Sequence, residues 1–456
     1  MEPVPRTNGG KRTKAAKPAA EALKTKYLIV GNSVGAVGAV EAIRQIDRNG
    51  SLTVLSDEPH FTYSRPMIAE YLAGECSIDR MHYRRPDFYE TNRVQALLGR
   101  KALGIDFQAR LVDLDDGRKI TWRKLLLATG GTPIVPKMDG VDRKNVFTFT
   151  TIADAESMKR SLPAGATVVV IGGGLIGMSV TQALVKYGAR VIVVELMDRL
   201  LSTMLDPEGS RLAEEQLHAA GVQLVTGQTV SRIIGQPGDE ARVGGVILQD
   251  GRTISCDAVV VAIGVVPRTE LVNDSPVAVN RGIIVDRRMQ TSVRGVYACG
   301  DAAEAFDFVQ KADRVIPVWP NAYVGGRVAG HNMAGARAKY PGGTAMNSLN
   351  CFGLSIASAG LVDPGDTDGY EILSTPATAT SYRKIVLKKG RVVGMIFLGD
   401  IERSGVVFGL MKDGVRVTSF KEALLRRDFG LSALPDQLRR EMLGIGPLPE
   451  EAVVGG

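Results

Sequence analysis

An α/β fold containing two copies of one parallel βαβ unit is predicted by three observations. The first is Val168-Val-Val-Ile-Gly-Gly-Gly-Leu-Ile-Gly177, in which a β-branched run enters Gly172, Gly174 and Gly177 at G-x-G-x-x-G spacing. The second is Arg190-Val-Ile-Val-Val-Glu195, an apolar strand closed by an acid eighteen residues after Gly177. The third is a weaker copy of the same pattern near the start of the chain, followed at similar distance by the same accessory motif.

In the stronger unit each glycine has a physical task. Gly172 permits a tight turn, Gly174 lets backbone approach a pyrophosphate, and Gly177 lets the helix lie against the sheet. The helix N-terminus, here Leu175 and Ile176, supplies free N–H groups and positive dipole to phosphates. Glu195 accepts hydrogen bonds from a ribose 2′-OH and repels a 2′-phosphate, so the unit is expected to take NAD(H) rather than NADP(H).

In the weaker copy, Lys26-Tyr-Leu-Ile-Val-Gly31 leads into Gly31, Ser33, Gly35 and Ala36 as G-x-S-x-x-A, then a helix through about Ile46. Leu52-Thr-Val-Leu55 follows, and Asp57 is chosen as its acid, with a register open by one residue. Asp116-Gly117 precedes Ala128, Thr129 and Gly130 by twelve residues, counted from Asp116 to Ala128. Asp250-Gly251 precedes Ala262, Ile263 and Gly264 by the same twelve. Each accessory strand ends in a Gly-terminated loop able to pass close to a nucleotide. Duplication of a whole Rossmann-like domain is the simplest account.

The chain of 456 residues has room for about three domains. Its formal charge of +7 hints at nucleic acid until the charge is located. Residues 1 to 26 carry seven Lys/Arg against two acids, so the remainder is nearly neutral and no nucleic-acid partner is expected. Residues 1–25 are read as a disordered basic tail, too poor in apolar surface to fold alone. The tail has no apolar core of a secretion signal. No run approaches the roughly 18 to 20 apolar residues of a membrane span. Cys76, Cys256, Cys299 and Cys351 stand far apart, so neither disulfides nor a metal site is expected, and a cytoplasmic setting fits.

With Thr291-Ser-Val-Arg-Gly-Val-Tyr-Ala-Cys-Gly300-Asp301 added, the motifs resemble in fixed order those of the two-dinucleotide-binding-domain flavoproteins. That family includes ferredoxin and rubredoxin reductases and the N-terminal part of nitrite reductases. The resemblance implies FAD in the first unit and NAD(H) in the second. It implies a discontinuous FAD-binding domain at 26–139 and 265–341, an NAD-binding domain at 140–264, and a C-terminal α+β interface domain at 342–440. Within that last domain Tyr382 to Asp400 reads as a β-hairpin with a Lys-Gly turn, and residues 441–456 as a tail.

By the same resemblance the strand-loop ending at Gly300 delivers Asp301 to the FAD ribityl chain, and the backbone N–H groups after it meet the pyrophosphate. Arg65 and Pro66, in His60-Phe-Thr-Tyr-Ser-Arg-Pro66, lie beside the flavin, where a cation stabilises its reduced form. A helix opening at Trp319, Pro320, Asn321 and Ala322 points its N-terminus at the flavin, and its small residues suit close approach to the cofactor. Trp319 is either a wall of that site or a core residue.

One position departs from the family pattern. Ser179 stands where many relatives carry the Glu that pairs with the flavin-side cation, so either another acid serves Arg65 or nicotinamide stacking differs. The redox cysteine of disulfide and peroxide reductases is also missing from the 60–66 region. The implied activity is hydride exchange between NAD(H) and FAD, with single electrons passing to an iron–sulfur partner of ferredoxin or rubredoxin type. The resemblance also extends to flavin subunits of larger assemblies of the aldehyde oxidoreductase or CO dehydrogenase type, in which that partner is another subunit. An oligomer or hetero-complex is compatible with this. The rivals are an NADH oxidase, a peroxidase, a quinone reductase, for which basic, partly apolar Phe420–Phe429 offers a weak membrane-surface anchor, and a structural flavoprotein with little turnover.

Overall fold

The computed structural model describes residues 22–443, so residues 1–21 of the basic tail and 444–456 of the C-terminal tail lie outside it. Three layered units surround one cavity. The first strand, Leu23–Val30, begins three residues earlier than the sequence reading placed it, and Lys24 to Tyr27 pair with Thr121 to Lys124 rather than belonging to a tail. The helix Asp436–Met442 likewise runs two residues past the expected domain end.

The first unit is a sheet in the order Val94–Leu98, Leu52–Ser56, Leu23–Val30, Lys119–Leu127, Leu111–Leu114, Ala102–Asp106. Val296–Ala298, more than a hundred residues further along the chain, pairs in parallel with Leu125–Leu127 and makes the unit discontinuous. The second unit orders Gln223–Val225, Arg190–Val194, Thr167–Ile171, Ala258–Val261, Val146–Phe147, all parallel. Its central strand is apolar at every position from Val168 because both faces are covered. Val168 and Val170 pack toward the helices Ile152–Ser161 and Leu175–Lys186, while Val169 and Ile171 face a three-stranded ribbon at 230–255.

The third unit is a five-stranded antiparallel sheet whose central strand Arg391–Leu398 alternates in the same way. Ile396 and Leu398 join the core of the second unit, and Met395 and Phe397 pack under the helix Ser404–Lys412. The hairpin turns at Lys389-Gly390, where both residues have positive φ, the requirement of a two-residue type I′ turn. Phe420–Phe429 is no surface anchor: Leu424 and Phe429 are buried in this unit's core and Phe420 stacks on Phe429. Among the described residues no helix is long and apolar enough to cross a membrane.

The linear partition also misses one exchange between units. Tyr63, Ile68, Leu72 and Met81 follow the first βαβ crossover but pack into the core of the second unit. The segment thereby bridges the first and second units, and Arg65 travels with it.

Candidate functional site

The two βαβ units repeat each other atom for atom at their glycine turns. The Gly31 N–H donates to the Leu55 carbonyl at 2.8 Å and Ala128 N–H to Val30 at 2.8 Å. In the second unit Gly172 donates to Val194 and Ala262 to Ile171, again at 2.8 Å. Gly31 and Gly172 have φ of +115° and +109°, and an added Cβ would stand 2.0 Å from the Ala128 carbonyl oxygen and 2.6 Å from that of Ala262. Only glycine fits where each turn crosses the following accessory loop. By the same equivalence Leu55 matches Val194, so Ser56 matches Glu195 and Asp57 stands one residue beyond.

Both turns release into helices, Val34–Ile46 and Leu175–Lys186, whose N-cap residues Ser33 and Gly174 make no side-chain cap. Their first N–H groups are left for a ligand. A third helix, Trp319–Met333, begins on the same cavity with Pro320 in its first turn. The cavity encloses about 1890 Å³, against roughly 300–1,000 Å³ for a site holding one drug-sized ligand. It has room for two large ligands end to end.

Of the residues singled out from sequence, Gly31, Ser33, Gly35, Asp57, Arg65, Pro66, Ala128, Thr129, Gly130, Gly300, Asp301, Trp319 and Ala322 line one arm of this cavity. Gly172, Gly174, Leu175, Ile176, Glu195, Ala262, Ile263 and Gly264 line the other. Ala36, Gly177 and Asn321 are off the wall. Ala36 is buried, and a Cβ on Gly177 would stand 1.8 Å from the Gly172 carbonyl oxygen, so both act in helix-on-sheet packing. Asn321 instead donates its amide to the Thr344 carbonyl at 3.0 Å.

The small residues of the third helix also serve packing. A Cβ on Gly326 would meet the Gly35 carbonyl oxygen at 2.0 Å, and one on Gly330 the Ala39 carbonyl oxygen at 2.5 Å. Close approach is to the helix Val34–Ile46, not to a ligand, and it fixes both N-termini side by side. Trp319 is a wall residue, held edge-on against Tyr83 with ring centres 5.3 Å apart.

The electrostatics at the junction of the arms are set by Arg65, Glu58 and Asp301. Arg65 donates Nη1 to the Thr150 carbonyl at 2.7 Å and pairs through Nη2 with Glu58. Glu58 also accepts the Tyr63 hydroxyl at 2.6 Å, and the guanidinium lies 5.3 Å from the Tyr63 ring centre. Burial opposes the Arg65 charge, but Tyr63 and Glu58 outweigh it and raise its pKa. Glu58 is thus the acid that serves Arg65. Ser179 donates to the Leu175 carbonyl one turn back, at 2.9 Å, and takes no part.

Asp301 accepts no hydrogen bond from any described residue, and burial raises its carboxyl pKa while Arg65 works the other way. A half-buried carboxylate without a protein donor on a cavity wall fits a ligand hydroxyl. Glu195 accepts N–H groups from Gly173 and, at 2.7 Å, Met197, which orients it on the second arm. Beside it Leu175, Leu196, Met197 and Ile263 are 37% to 61% exposed, an apolar lining suited to flat rings. The residues present therefore fit one dinucleotide in each arm.

Sequence reasoning missed several wall residues. Met346–Asn350, on an edge strand of the third unit, closes the cavity from a distance that no local motif reports. Cys299, far from the 60–66 region in sequence, lies in the wall too. It is buried against Gly35, and burial pushes its thiol up to about 12, so it stays protonated and unreactive. Among the described residues no cluster of His, Cys, Asp or Glu could hold a metal ion.

Comparison with known proteins agrees with this architecture. The model of the pyridine nucleotide-disulphide oxidoreductase family matches residues 25–326. That of the rubredoxin NAD+ reductase C-terminal domain matches 346–415. The chain is 33% identical over 390 residues to the NADH-dependent phenylglyoxylate dehydrogenase subunit epsilon of Aromatoleum evansii, covering 85% of this chain and 88% of that one. It is 30% identical over 392 residues to the nitrite reductase [NAD(P)H] of Bacillus subtilis, where the match spans 85% of this chain and 47% of the relative. A chain of the covalent putidaredoxin reductase–putidaredoxin complex superposes with a TM-score of 0.78 at 25% identity, covering 86% of this chain and 94% of that one. With the family model extending over more than half its length, the chain belongs to the pyridine nucleotide-disulphide oxidoreductases.

Proposed function

We propose that the chain is an NAD(H)-dependent FAD oxidoreductase that exchanges electrons with an iron–sulfur protein or subunit of ferredoxin or rubredoxin type. One observation carries this reading: two glycine cradles of the same construction open, through three helix N-termini, onto one cavity with a cation and a free carboxylate at their junction. FAD bound in the first arm supplies the chemistry of taking a hydride from NADH and releasing electrons singly. Every other contribution belongs to the chain.

Asp301 accepts a ribityl hydroxyl, and the N-termini at Ser33 and Trp319 face the pyrophosphate and the ring edge where reduction adds negative charge. Arg65 adds a fixed positive charge there. Gly172 to Ile176 hold the NAD(H) pyrophosphate. Glu195 binds the adenosine ribose and disfavours a 2′-phosphate. Leu175, Ile263 and the edge strand of the third unit exclude water. In domain terms, 26–139 with 265–341, extended back to Leu23, holds FAD, 140–264 holds NAD(H), and 342–440 closes the site and offers an interface.

Hydride transfer needs alignment rather than an acid–base residue, so Ser179 is no obstacle. A thiol-based peroxidase or oxidase loses support because Cys299, the wall thiol among the described residues, is buried and held protonated. Similarity to a dehydrogenase subunit favours a place in a larger redox assembly, and four free cysteines favour the cytoplasm. The test is anaerobic turnover with NADH and either a purified rubredoxin or a plant-type [2Fe–2S] ferredoxin, with ferricyanide as general acceptor. Reduction of at least one iron–sulfur protein, on the order of 10 per second, is expected. Ferricyanide reduction without either would contradict the proposed partner class.

A further inference from the structure

Glu58 is the one acid at the junction that meets three constraints at once. It stands two residues after the strand Leu52–Ser56, receives the Tyr63 hydroxyl at 2.6 Å, and holds one arm of the Arg65 guanidinium. The other arm of that guanidinium is held by the Thr150 carbonyl at 2.7 Å. Thr150 immediately precedes Thr151, whose capping box with Asp154 fixes the start of the helix Ile152–Ser161 in the second unit. Arg65 is therefore clamped between the two nucleotide units, with one ligand from each.

The clamp is local and specific. The side chains of Glu58 and Arg65 are 22% and 37% exposed, so their attraction is only partly screened by water. Asp57, the neighbouring acid, points to Arg268 at 3.3 Å instead. A planar guanidinium held by an acceptor on each side has little freedom to rotate away from the cavity. The charge that Arg65 presents to the wall is thus a balance, its own positive charge offset by Glu58.

We propose that Glu58 is a positioning residue that holds Arg65 at the junction and, by offsetting its charge, sets the reduction potential of the cofactor bound beside it. This rests on the reading of the first arm as a FAD site with Arg65 at the redox ring. A carboxylate behind the guanidinium lowers the net positive field at the ring, so it keeps the potential lower than Arg65 alone would. Removing the two charges one at a time must then move the potential in opposite directions, which a purely structural role for Glu58 would not do.

The experiment is an anaerobic reductive titration of the FAD-loaded protein against reference dyes, comparing wild type with Glu58→Gln and Arg65→Met. Glu58→Gln is expected to favour the reduced form by about tenfold, a rise of about 30 mV for a two-electron couple. Arg65→Met is expected to lower the potential by a similar amount. If Glu58→Gln loses its cofactor, Glu58→Asp, one methylene shorter, is expected to shift the potential upward by less. An Arg65→Met shift with no movement, or a fall, in the Glu58 variants overturns the inference. No shift in Arg65→Met would remove Arg65 from the flavin, and with it the reading on which the inference rests.

Discussion

Asp206→Ala is expected to destabilise the junction of the second and third units by about 3–5 kcal/mol, the cost of leaving a buried charge without its partner. Asp206 is buried and does three things. Its Oδ1 caps the helix Pro207–Ala219 at the Gly209 N–H, 2.9 Å away. Its Oδ2 accepts the Tyr382 hydroxyl at 2.8 Å and pairs with Lys384 Nζ at 3.0 Å. Tyr382 and Lys384 belong to the antiparallel sheet, so one carboxylate fastens that sheet to the nucleotide unit. The double variant Asp206→Asn with Lys384→Met removes both charges and keeps a good cap residue, and it is expected to recover most of the loss. Denaturant unfolding followed by circular dichroism checks both, reading the first transition. A loss under about 1 kcal/mol for Asp206→Ala would show that the pair is not the fastening.

The second large effect separates two glycines of one motif. A Cβ on Gly177 would stand 1.8 Å from the Gly172 carbonyl oxygen, backbone against backbone, so Gly177→Ala must lift the helix from its turn. The expected cost is about 1–3 kcal/mol of stability and roughly a hundredfold in NADH affinity. Gly174 has φ of −81° and no atom within 4 Å of its would-be Cβ, so Gly174→Ala folds as before. Its methyl instead enters the cavity at the helix N-terminus, and NADH affinity is expected to fall about tenfold with stability unchanged within about 0.5 kcal/mol. Melting curves and NADH titrations of the two variants give the test. Normal NADH binding by Gly174→Ala would mean that the phosphates lie elsewhere.

What the sequence made legible was what is local. The glycine turns, the acid after the second strand, the accessory loops and the hairpin at Lys389-Gly390 are all decided within a few residues by φ, by β-branched runs and by spacing. Where contacts cross long stretches of chain, spacing was silent. Glu58 directly follows Asp57 in the sequence, but its pairing with Arg65 depends on how Tyr63 turns the loop. Gly326 advertised close approach without saying to what, since a helix backbone and a ligand make the same demand. Asn321 sat in a helix start that does reach the cavity, yet at a position whose side chain turns to Thr344. The edge strand Met346–Cys351 carried no motif, because it contributes surface rather than chemistry.

The same distinction explains Ser179. Its place in the helix Leu175–Lys186 could be read from the fingerprint, but the loss of a carboxylate there matters only if Arg65 has no other partner. Glu58 supplies one from the first unit, so Arg65 keeps a carboxylate partner.

Anaerobic titration of the purified protein with NADH and, separately, NADPH, following the visible flavin band, decides whether two dinucleotides meet in one cavity with hydride passing between them. Yellow protein that bleaches stoichiometrically with NADH, and at least about tenfold faster than with NADPH, is expected, because a carboxylate at Glu195 repels a 2′-phosphate. Colour retained with both nucleotides would contradict it.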